Sequence, residues 1–207
     1  MSKETTVRAS LIRRFVRAVP CALLNYFVIF VLTINIFYLS LLTTSQPLLD
    51  HHRTTLDQAI SKLESKGFDR EVFLLRRVAT FRVSDNWLNS FVEDENAYAG
   101  TNFPFEVITL YPDFFEKSVD EAERAAILLH EAQHLLGKTE SEAYEVVWRN
   151  RDRLGWTQMS HGTTESFVTV ELQTREFCPQ LFTCGDRLWN DCTESRKDNS
   201  QIADKNL

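Results

Sequence analysis

Residues 118–137 read SVDEAERAAILLHEAQHLLG, and this stretch is the strongest indication of structure in the chain. Its centre is rich in Ala, Leu and Ile, which favour the α-helix. Ser118 and Glu121 have the spacing of a capping box, and acidic residues crowd the first turn, where the helix dipole favours negative charge. Gly137 is suited to end the helix. We therefore predict one buried helix across this stretch.

The predicted helix carries His130, Glu131 and His134 in the order H-E-x-x-H. Residues four apart lie on one helical face, so both imidazoles can bind one metal ion. Zinc suits two imidazoles, a carboxylate and an open fourth position for water, toward which Glu131 can act as general base. We interpret the motif as a zinc site for hydrolysis, most often of a peptide bond. A satisfied pair of core histidines and an amphipathic surface helix are the alternative interpretations.

A catalytic zinc site needs a third protein ligand, and Glu140 is our prediction. Gly137 permits a sharp turn out of the first helix, and Glu140 then begins a second helical run, residues 140–154, that can fold back over the metal. Glu142 and Glu145 remain alternatives, although acidic residues on such a helix usually form only a solvated charged face.

Two further residues are candidates for stabilising a tetrahedral oxyanion. Tyr144 lies one helical turn after Glu140, on the same face, and His161 follows later in the chain. Either side chain could donate a hydrogen bond to the oxyanion. A half-buried residue at a helix interface is the alternative interpretation of each.

These motifs resemble those of zincin-like metallopeptidases. Residues 130–140 are similar to the metzincin motif, with Glu140 where that group has a third histidine, but Met159 lacks the surroundings of a metzincin Met-turn. Residues 140–144 resemble the E-x-x-A-D ligand helix of CAAX prenyl protease type zinc peptidases, with Tyr144 in place of the aspartate. The chain also resembles an uncharacterised bacterial family of membrane-anchored zinc peptidases, at residues 109–112, 130–134, 140–144 and 154–157. The resemblance implies a zinc cofactor and a peptide or protein substrate.

An uncharged apolar stretch, PCALLNYFVIFVLTINIFYLSLL, occupies residues 20–42. About twenty such residues suffice to cross a bilayer. Asn25 and Asn35 lower the hydropathy without forbidding insertion. The following residues, TTSQP, lack the small-residue pattern of a cleavage site, so we predict an uncleaved transmembrane anchor. A cleaved signal peptide and a buried core helix are the alternatives.

Charge is distributed unevenly around this span. The residues before Val19 include five basic residues and one acidic residue, a net charge of +4, which leaves −10 for the remainder of a chain whose total is −6. This bias predicts a cytoplasmic N-terminus, residues 1–19, and a periplasmic or extracellular C-terminal domain. An acidic domain is a poor candidate for binding nucleic acid, so we expect no nucleic-acid partner.

Three cysteines, Cys178, Cys184 and Cys192, lie near the C-terminus. Two of them can pair if this part of the chain faces an oxidising compartment. We favour a Cys184–Cys192 disulfide, because Gly185 and Asp186 supply a turn between them.

The other predicted elements come from local pattern. Residues 105–111 form the best candidate for a strand, which we expect to be an edge strand that holds an extended substrate beside the motif helix. The remaining predictions are a helix over residues 56–66 capped by Thr54 or Thr55, more helix over 68–77, a strand over 78–83, a short helix or turn over 85–95, a loop over 99–104, and a strand or helix over 166–172.

The sequence thus predicts an α+β chain: an N-terminal transmembrane helix, then a small zincin-like domain over residues 51–193, with an active-site helix beside a short sheet. Residues 194–207 are polar and are expected to be a disordered tail. The predicted function is that of a membrane-anchored zinc metallopeptidase. A non-catalytic membrane-tethered zinc-binding or interaction module and a zinc amidase acting on a non-protein substrate are the alternatives. The sequence leaves the substrate and the oligomeric state open.

Overall fold

The computed structural model describes residues 2–91 and 98–194, with side chains from residue 23 onward except that of residue 91. Residues 195–207 of the predicted tail lie outside this part, as do residues 92–97, which include the last four residues of the short helix or turn predicted over 85–95. The fold is mixed α and β. Its helices are α1 (Ser2–Thr44), α2 (Asp50–Ser65), α3 (Asp69–Arg77), α4 (Pro112–Glu116), α5 (Glu121–Leu135), α6 (Glu140–Leu154), α7 (Gln158–His161) and α8 (Glu165–Phe177), and its strands are β1 (Thr80–Arg82), β2 (Ala99–Asn102) and β3 (Val107–Leu110). Short 3-10 turns occupy Asn89–Phe91, Pro179–Phe182 and Leu188–Asn190.

Helix α1 contains the apolar segment Leu23–Thr44, which is long and apolar enough to cross a membrane. At about 1.5 Å per residue it spans roughly 33 Å, close to the thickness of a bilayer's hydrocarbon core. Most of its side chains are exposed, as in Tyr26 and Ile36. An exposed apolar surface of this size is typical of a helix that lies in lipid or against a partner.

The last two turns of α1 pack against the domain. The Phe37 ring stacks on Phe105 at 4.7 Å between centroids and meets the edge of Trp87 at 5.3 Å. One residue later, the Tyr38 hydroxyl lies 3.0 Å from the Thr80 hydroxyl. The helix therefore joins the domain through side-chain contacts as well as through the chain.

The three strands form one sheet in the order β1-β3-β2. β1 is parallel to β3, and β2 is antiparallel to it, with Thr101 opposite Ile108. The sheet corrects two predictions. Residues 99–102, predicted as a loop, form β2, because hydrogen bonding to β3 overrides the loop-like composition of this segment. The strand predicted over residues 105–111 is the central strand, and the strand beside α5 is β2.

Helix α5 occupies the centre of the core, packed against α2, α6 and β2. Leu128 and Leu129 on this helix are fully buried. Its predicted start is corrected by two residues: the N-cap is Asp120, whose side chain accepts hydrogen bonds from the backbone N–H groups of Ala122 and Glu123. Ser118 is buried before the helix begins and does not cap it.

Helix α2 differs from its predicted bounds, and helix α8 includes a segment whose secondary structure the sequence left open. Helix α2 begins at Asp50, before the predicted caps Thr54 and Thr55, and the His52 ring in its first turn stacks on Phe115 at 4.1 Å. This packing explains the longer helix without a side-chain cap. The segment 166–172, left as strand or helix, belongs to α8, whose N-cap is Thr164.

Candidate metal centre

The turn between α5 and α6 is built from local interactions. Gly137 has a left-handed backbone conformation with φ of 74°, and its N–H donates to the carbonyl of His134 at 2.8 Å. Thr139 then caps α6 in a capping box with Glu142. This arrangement makes Glu140 the first residue of α6, as predicted, and brings it over the end of α5.

His130, His134 and Glu140 direct their polar atoms at one point. The two Nε2 atoms are 3.0 Å apart, and each lies 3.2 Å from a different carboxylate oxygen of Glu140: Oε2 for His130 and Oε1 for His134. Ligand atoms about 2.0–2.1 Å from a tetrahedral zinc ion are separated by about 3.3–3.4 Å. The nearest distances are close to this separation. The three residues can offer one ligand atom each within 4.8 Å of one another, and the donor types are those that zinc prefers.

The backbone orients one of these imidazoles. His134 Nδ1 lies 3.1 Å from the carbonyl oxygen of Lys138, to which a protonated Nδ1 donates. That hydrogen bond leaves Nε2 as the nitrogen that faces His130 and Glu140. A backbone carbonyl behind a ligand histidine is the usual way in which proteins fix its tautomer and ring orientation.

The site combines imidazole and carboxylate groups, and their interaction shifts the pKa values of His134 and Glu140. Burial alone would lower the pKa of His134, but its hydrogen bond to Glu140 and the charges of Glu131 and Glu140 outweigh burial and raise that pKa to about 9. The same hydrogen bonds, from His130 and His134, hold the pKa of Glu140 far below its usual range. The carboxylate of Glu140 is therefore ionised at neutral pH and available to a cation.

Glu131 is buried beside the two histidines, with 4% of its surface exposed. Its Oε2 accepts a hydrogen bond of 2.7 Å from the Thr101 hydroxyl on β2. The edge strand thus holds this carboxylate in place while its second oxygen remains available. A buried carboxylate needs such a partner, since burial without one is costly.

The site opens into a cavity of about 580 Å³. His130, Glu131, His134 and Glu140 all lie on its wall. Edge strand β2 forms another side, and the remaining wall combines apolar residues with a few polar ones, among them Ile127, Val147, Val170, Phe177, Asn89 and Gln173. A mostly apolar cleft with a few convergent polar groups is typical of a ligand site.

Tyr144 lies at the site as predicted. Its ring is 4.4 Å from that of His130, between centroids, and its hydroxyl donates to Gln173 Oε1 at 2.7 Å. Burial, together with the charges of Glu140 and Glu131, raises the pKa of Tyr144 above its usual range. The hydroxyl therefore remains a proton donor at physiological pH.

His161 does not join this site. Its Nε2 lies 3.1 Å from Asp120, the N-cap of α5, and its Nδ1 lies 2.7 Å from the Ser160 hydroxyl. Asp120 is ten residues before His130, so the two positions are about 15 Å apart along the helix axis. The structure therefore does not bring His161 to the candidate site, where its predicted oxyanion role would require it.

The rivals of Glu140 are engaged elsewhere. Glu142 accepts from the backbone and hydroxyl of Thr139, and Glu145 forms an ion pair with Arg149 at 2.7 Å. Neither belongs to the group of convergent ligand atoms among the described residues. At the first position of α6, Glu140 therefore faces the two histidines, whereas Glu142 and Glu145 have other partners.

Sequence reasoning missed three contributors, Thr101, Lys138 and Gln173. Thr101 lies thirty residues before Glu131 in a segment with the composition of a loop. Lys138 contributes its backbone carbonyl, which leaves no trace in residue type, and Gln173 lies on α8, whose secondary structure was open. A small polar residue on the strand beside the motif helix is the signal that could have identified Thr101.

The chain was compared with models of protein families, with curated proteins and with solved structures, and none of them matches it. The case for a function therefore depends on the arrangement of the residues themselves.

Proposed function

We propose that this chain is a membrane-anchored zinc metallopeptidase. The observation that supports it most is the convergence of His130, His134 and Glu140, beside the buried carboxylate of Glu131. The two Nε2 atoms are 3.0 Å apart, and each lies 3.2 Å from a different oxygen of the Glu140 carboxylate. A resident cation with two imidazoles and one carboxylate has the ligand set of a catalytic zinc ion.

The chemistry divides between the ion and the chain. Zinc, when bound, acts as a Lewis acid that activates a water and polarises the scissile carbonyl. Glu131 takes a proton from the attacking water and passes it to the leaving amine. Thr101 positions Glu131 through its hydrogen bond. Tyr144 donates to the oxyanion once its hydroxyl has exchanged Gln173 for the substrate.

In this proposal, binding of the peptide substrate depends on strand β2. This strand is at the edge of the sheet among the described residues, and it borders the cavity. An extended peptide can pair with a free strand edge through its backbone, which positions the peptide bond without reading its sequence. Neighbouring apolar walls, such as Val170 and Phe177, then favour an apolar side chain near the cleaved bond.

The alternative of a purely structural zinc site is less well supported. Structural zinc ions usually have four protein ligands, whereas the described residues contribute three to this group. The three residues line a cavity of about 580 Å³, which would leave an open position on a bound ion accessible to water and substrate. An open position of this kind favours catalysis.

Membrane anchoring belongs to the same proposal. It is supported by the apolar segment Leu23–Thr44, and the orientation, N-terminus inside, by the basic residues before it. The Cys184–Cys192 disulfide, with an S–S distance of 2.07 Å, is consistent with an oxidising compartment for the domain. A reporter enzyme that is active only outside the cytoplasm, fused after Asn206, should be active. Activity of a cytoplasm-only reporter at that position would reverse the orientation.

The decisive experiment combines metal analysis with an activity screen. The full chain, purified in detergent, should contain one zinc per chain and should cleave members of a mixed peptide library. E131Q is the matched control, because it keeps the size of the side chain and removes its basicity. A zinc-loaded protein that cleaves no peptide, in a screen where a known peptidase does, would favour the structural alternative.

A further inference from the structure

A second cavity, of about 640 Å³, lies where α1 joins the domain. Its wall includes Pro47, three residues after the end of α1, and Thr80, whose hydroxyl lies 3.0 Å from that of Tyr38. Tyr38 belongs to the last two turns of the apolar segment Leu23–Thr44. The cavity therefore lies beside the last turns of the apolar segment. If this segment spans a bilayer, the cavity lies near the headgroup region.

The cavity is strongly basic. Four arginines line it, Arg53, Arg76, Arg77 and Arg82, against one acidic residue, Asp57. They come from α2, α3 and β1, so the concentration of charge results from the fold and not from one solvated helical face. Such convergence attracts an anion into the concavity.

Most of this charge has no counterpart among the described residues. Arg76 pairs with Glu64 at 2.9 Å. Arg53, Arg77 and Arg82 form no ion pair with another described residue. The Nε atom of Arg82 is buried and has no hydrogen-bond partner in the described part of the chain. A buried N–H donor without an acceptor is costly, and this one belongs to an arginine that lines the cavity.

We propose that this cavity binds the phosphate of an anionic phospholipid headgroup. Guanidinium groups match phosphate oxygens in charge and in hydrogen-bond geometry. Leu56, Ile60 and Leu75 provide apolar wall for the glycerol and upper acyl carbons. The site is separate from the metal centre and depends only on α1 lying in a membrane.

The test measures lipid retention by the full chain in a neutral detergent, using native mass spectrometry. Phosphatidylglycerol, phosphatidylcholine and inorganic phosphate are the three probes. R82Q should bind phosphatidylglycerol about fivefold more weakly, and R53Q/R77Q, which alters two exposed side chains, about 25-fold more weakly, at about one fivefold step for each arginine near an anionic surface. R149Q, on α6, is the control with the same change of charge and should retain wild-type binding.

Preferential retention of phosphatidylglycerol that R82Q weakens and R149Q preserves supports the proposal. Equal retention of phosphatidylcholine, or equal weakening by R149Q, overturns it. Inorganic phosphate that binds as tightly as the lipid would also overturn it, in favour of a soluble anion. If circular dichroism shows that R82Q is misfolded, R53Q/R77Q decides the outcome. Zinc content should be unchanged in every folded variant, so the lipid result can be interpreted independently of the proposed metal centre.

Discussion

At its N-terminal end α5 meets His161, and near its C-terminal end it carries His130 and His134; at both places imidazole lies within 3.2 Å of a carboxylate. The surroundings differ. His161 has protein partners at both nitrogens, Ser160 and Asp120. His134 has a backbone partner at one nitrogen only, and its other nitrogen faces a second imidazole across 3.0 Å at the wall of a cavity. The comparison distinguishes a histidine whose two nitrogens both have protein partners outside the candidate site from one whose second nitrogen faces another imidazole at a cavity wall, as a candidate metal ligand would.

The largest expected effect is loss of zinc when a histidine at the C-terminal end is removed. H130A or H134A should reduce zinc content from one per chain to near zero, because two ligands hold the ion far more weakly than three. H161A is the matched control and should keep its zinc. Elemental analysis of the full chain in detergent provides the measurement. Equal zinc content in all three variants would mean that the two ends of α5 do not differ as we describe.

The next effect concerns catalysis at the same end. E131Q should reduce peptide hydrolysis by about 10²–10⁴-fold, the usual contribution of a general base, while zinc content is unchanged. T101V removes only the hydrogen bond that positions Glu131, and a bond to a charged group is worth about 1.5 kcal/mol, so its loss should be about tenfold. Steady-state rates on one identified peptide compare the variants. An E131Q protein as fast as wild type would remove Glu131 from the mechanism.

Three carboxylates of α6 give a narrower test. E140Q should weaken zinc binding by at least the roughly 10–100-fold that outer partners of a metal site contribute, because the amide is a poorer ligand than the carboxylate. E142Q and E145Q, whose parent side chains cap the helix or pair with Arg149, should bind zinc as wild type does. Competition with a chelator measures the affinities. Comparable weakening by E142Q would reject Glu140 as the third ligand.

The smallest effect belongs to the N-terminal end. D120A should lower the free energy of unfolding by about 1 kcal/mol, the usual value of an N-cap, without changing zinc content. Burial alone would raise the pKa of Asp120, but hydrogen bonds from Glu123, His161 and Ala122 lower it. A depressed folded-state pKa means that this contribution is present above the ordinary aspartate pKa and is lost as the pH falls through the folded value. Chemical denaturation at neutral and acidic pH should therefore show the two proteins converge in acid.

Local signals predicted much of this molecule from its sequence. The helix with His130 and His134, the turn at Gly137 and the start of α6 at Glu140 all depend on residues within about twenty positions of one another. The same is true of the Cys184–Cys192 disulfide. In each case the residue types and their spacing along the chain are enough to predict the local geometry.

The parts that were missed depend on distant pairing. β2 contains Gly and Asn and has the composition of a loop, and only its hydrogen bonds with β3 make it a strand. Thr101 could not be linked to Glu131 before that strand was placed. His161 was misjudged because its partner, Asp120, lies 41 residues away. The sequence identified side chains suited to catalysis or metal binding, but not the long-range contacts that determine which of them lie together.

The junction at Phe37 has a mechanical consequence. A flexible tether would let the domain sweep through a large volume, but here only five residues separate α1 from α2, and two of them, Ser45 and Leu48, are buried. Phe37 also stacks on Phe105, and Phe103, two positions away, lies on the wall of the cavity at the candidate metal centre, so side-chain contacts link the helix to this cavity. If α1 spans a bilayer, these contacts would hold the candidate site at one height above the surface, and a substrate segment would be selected by its distance from the lipid.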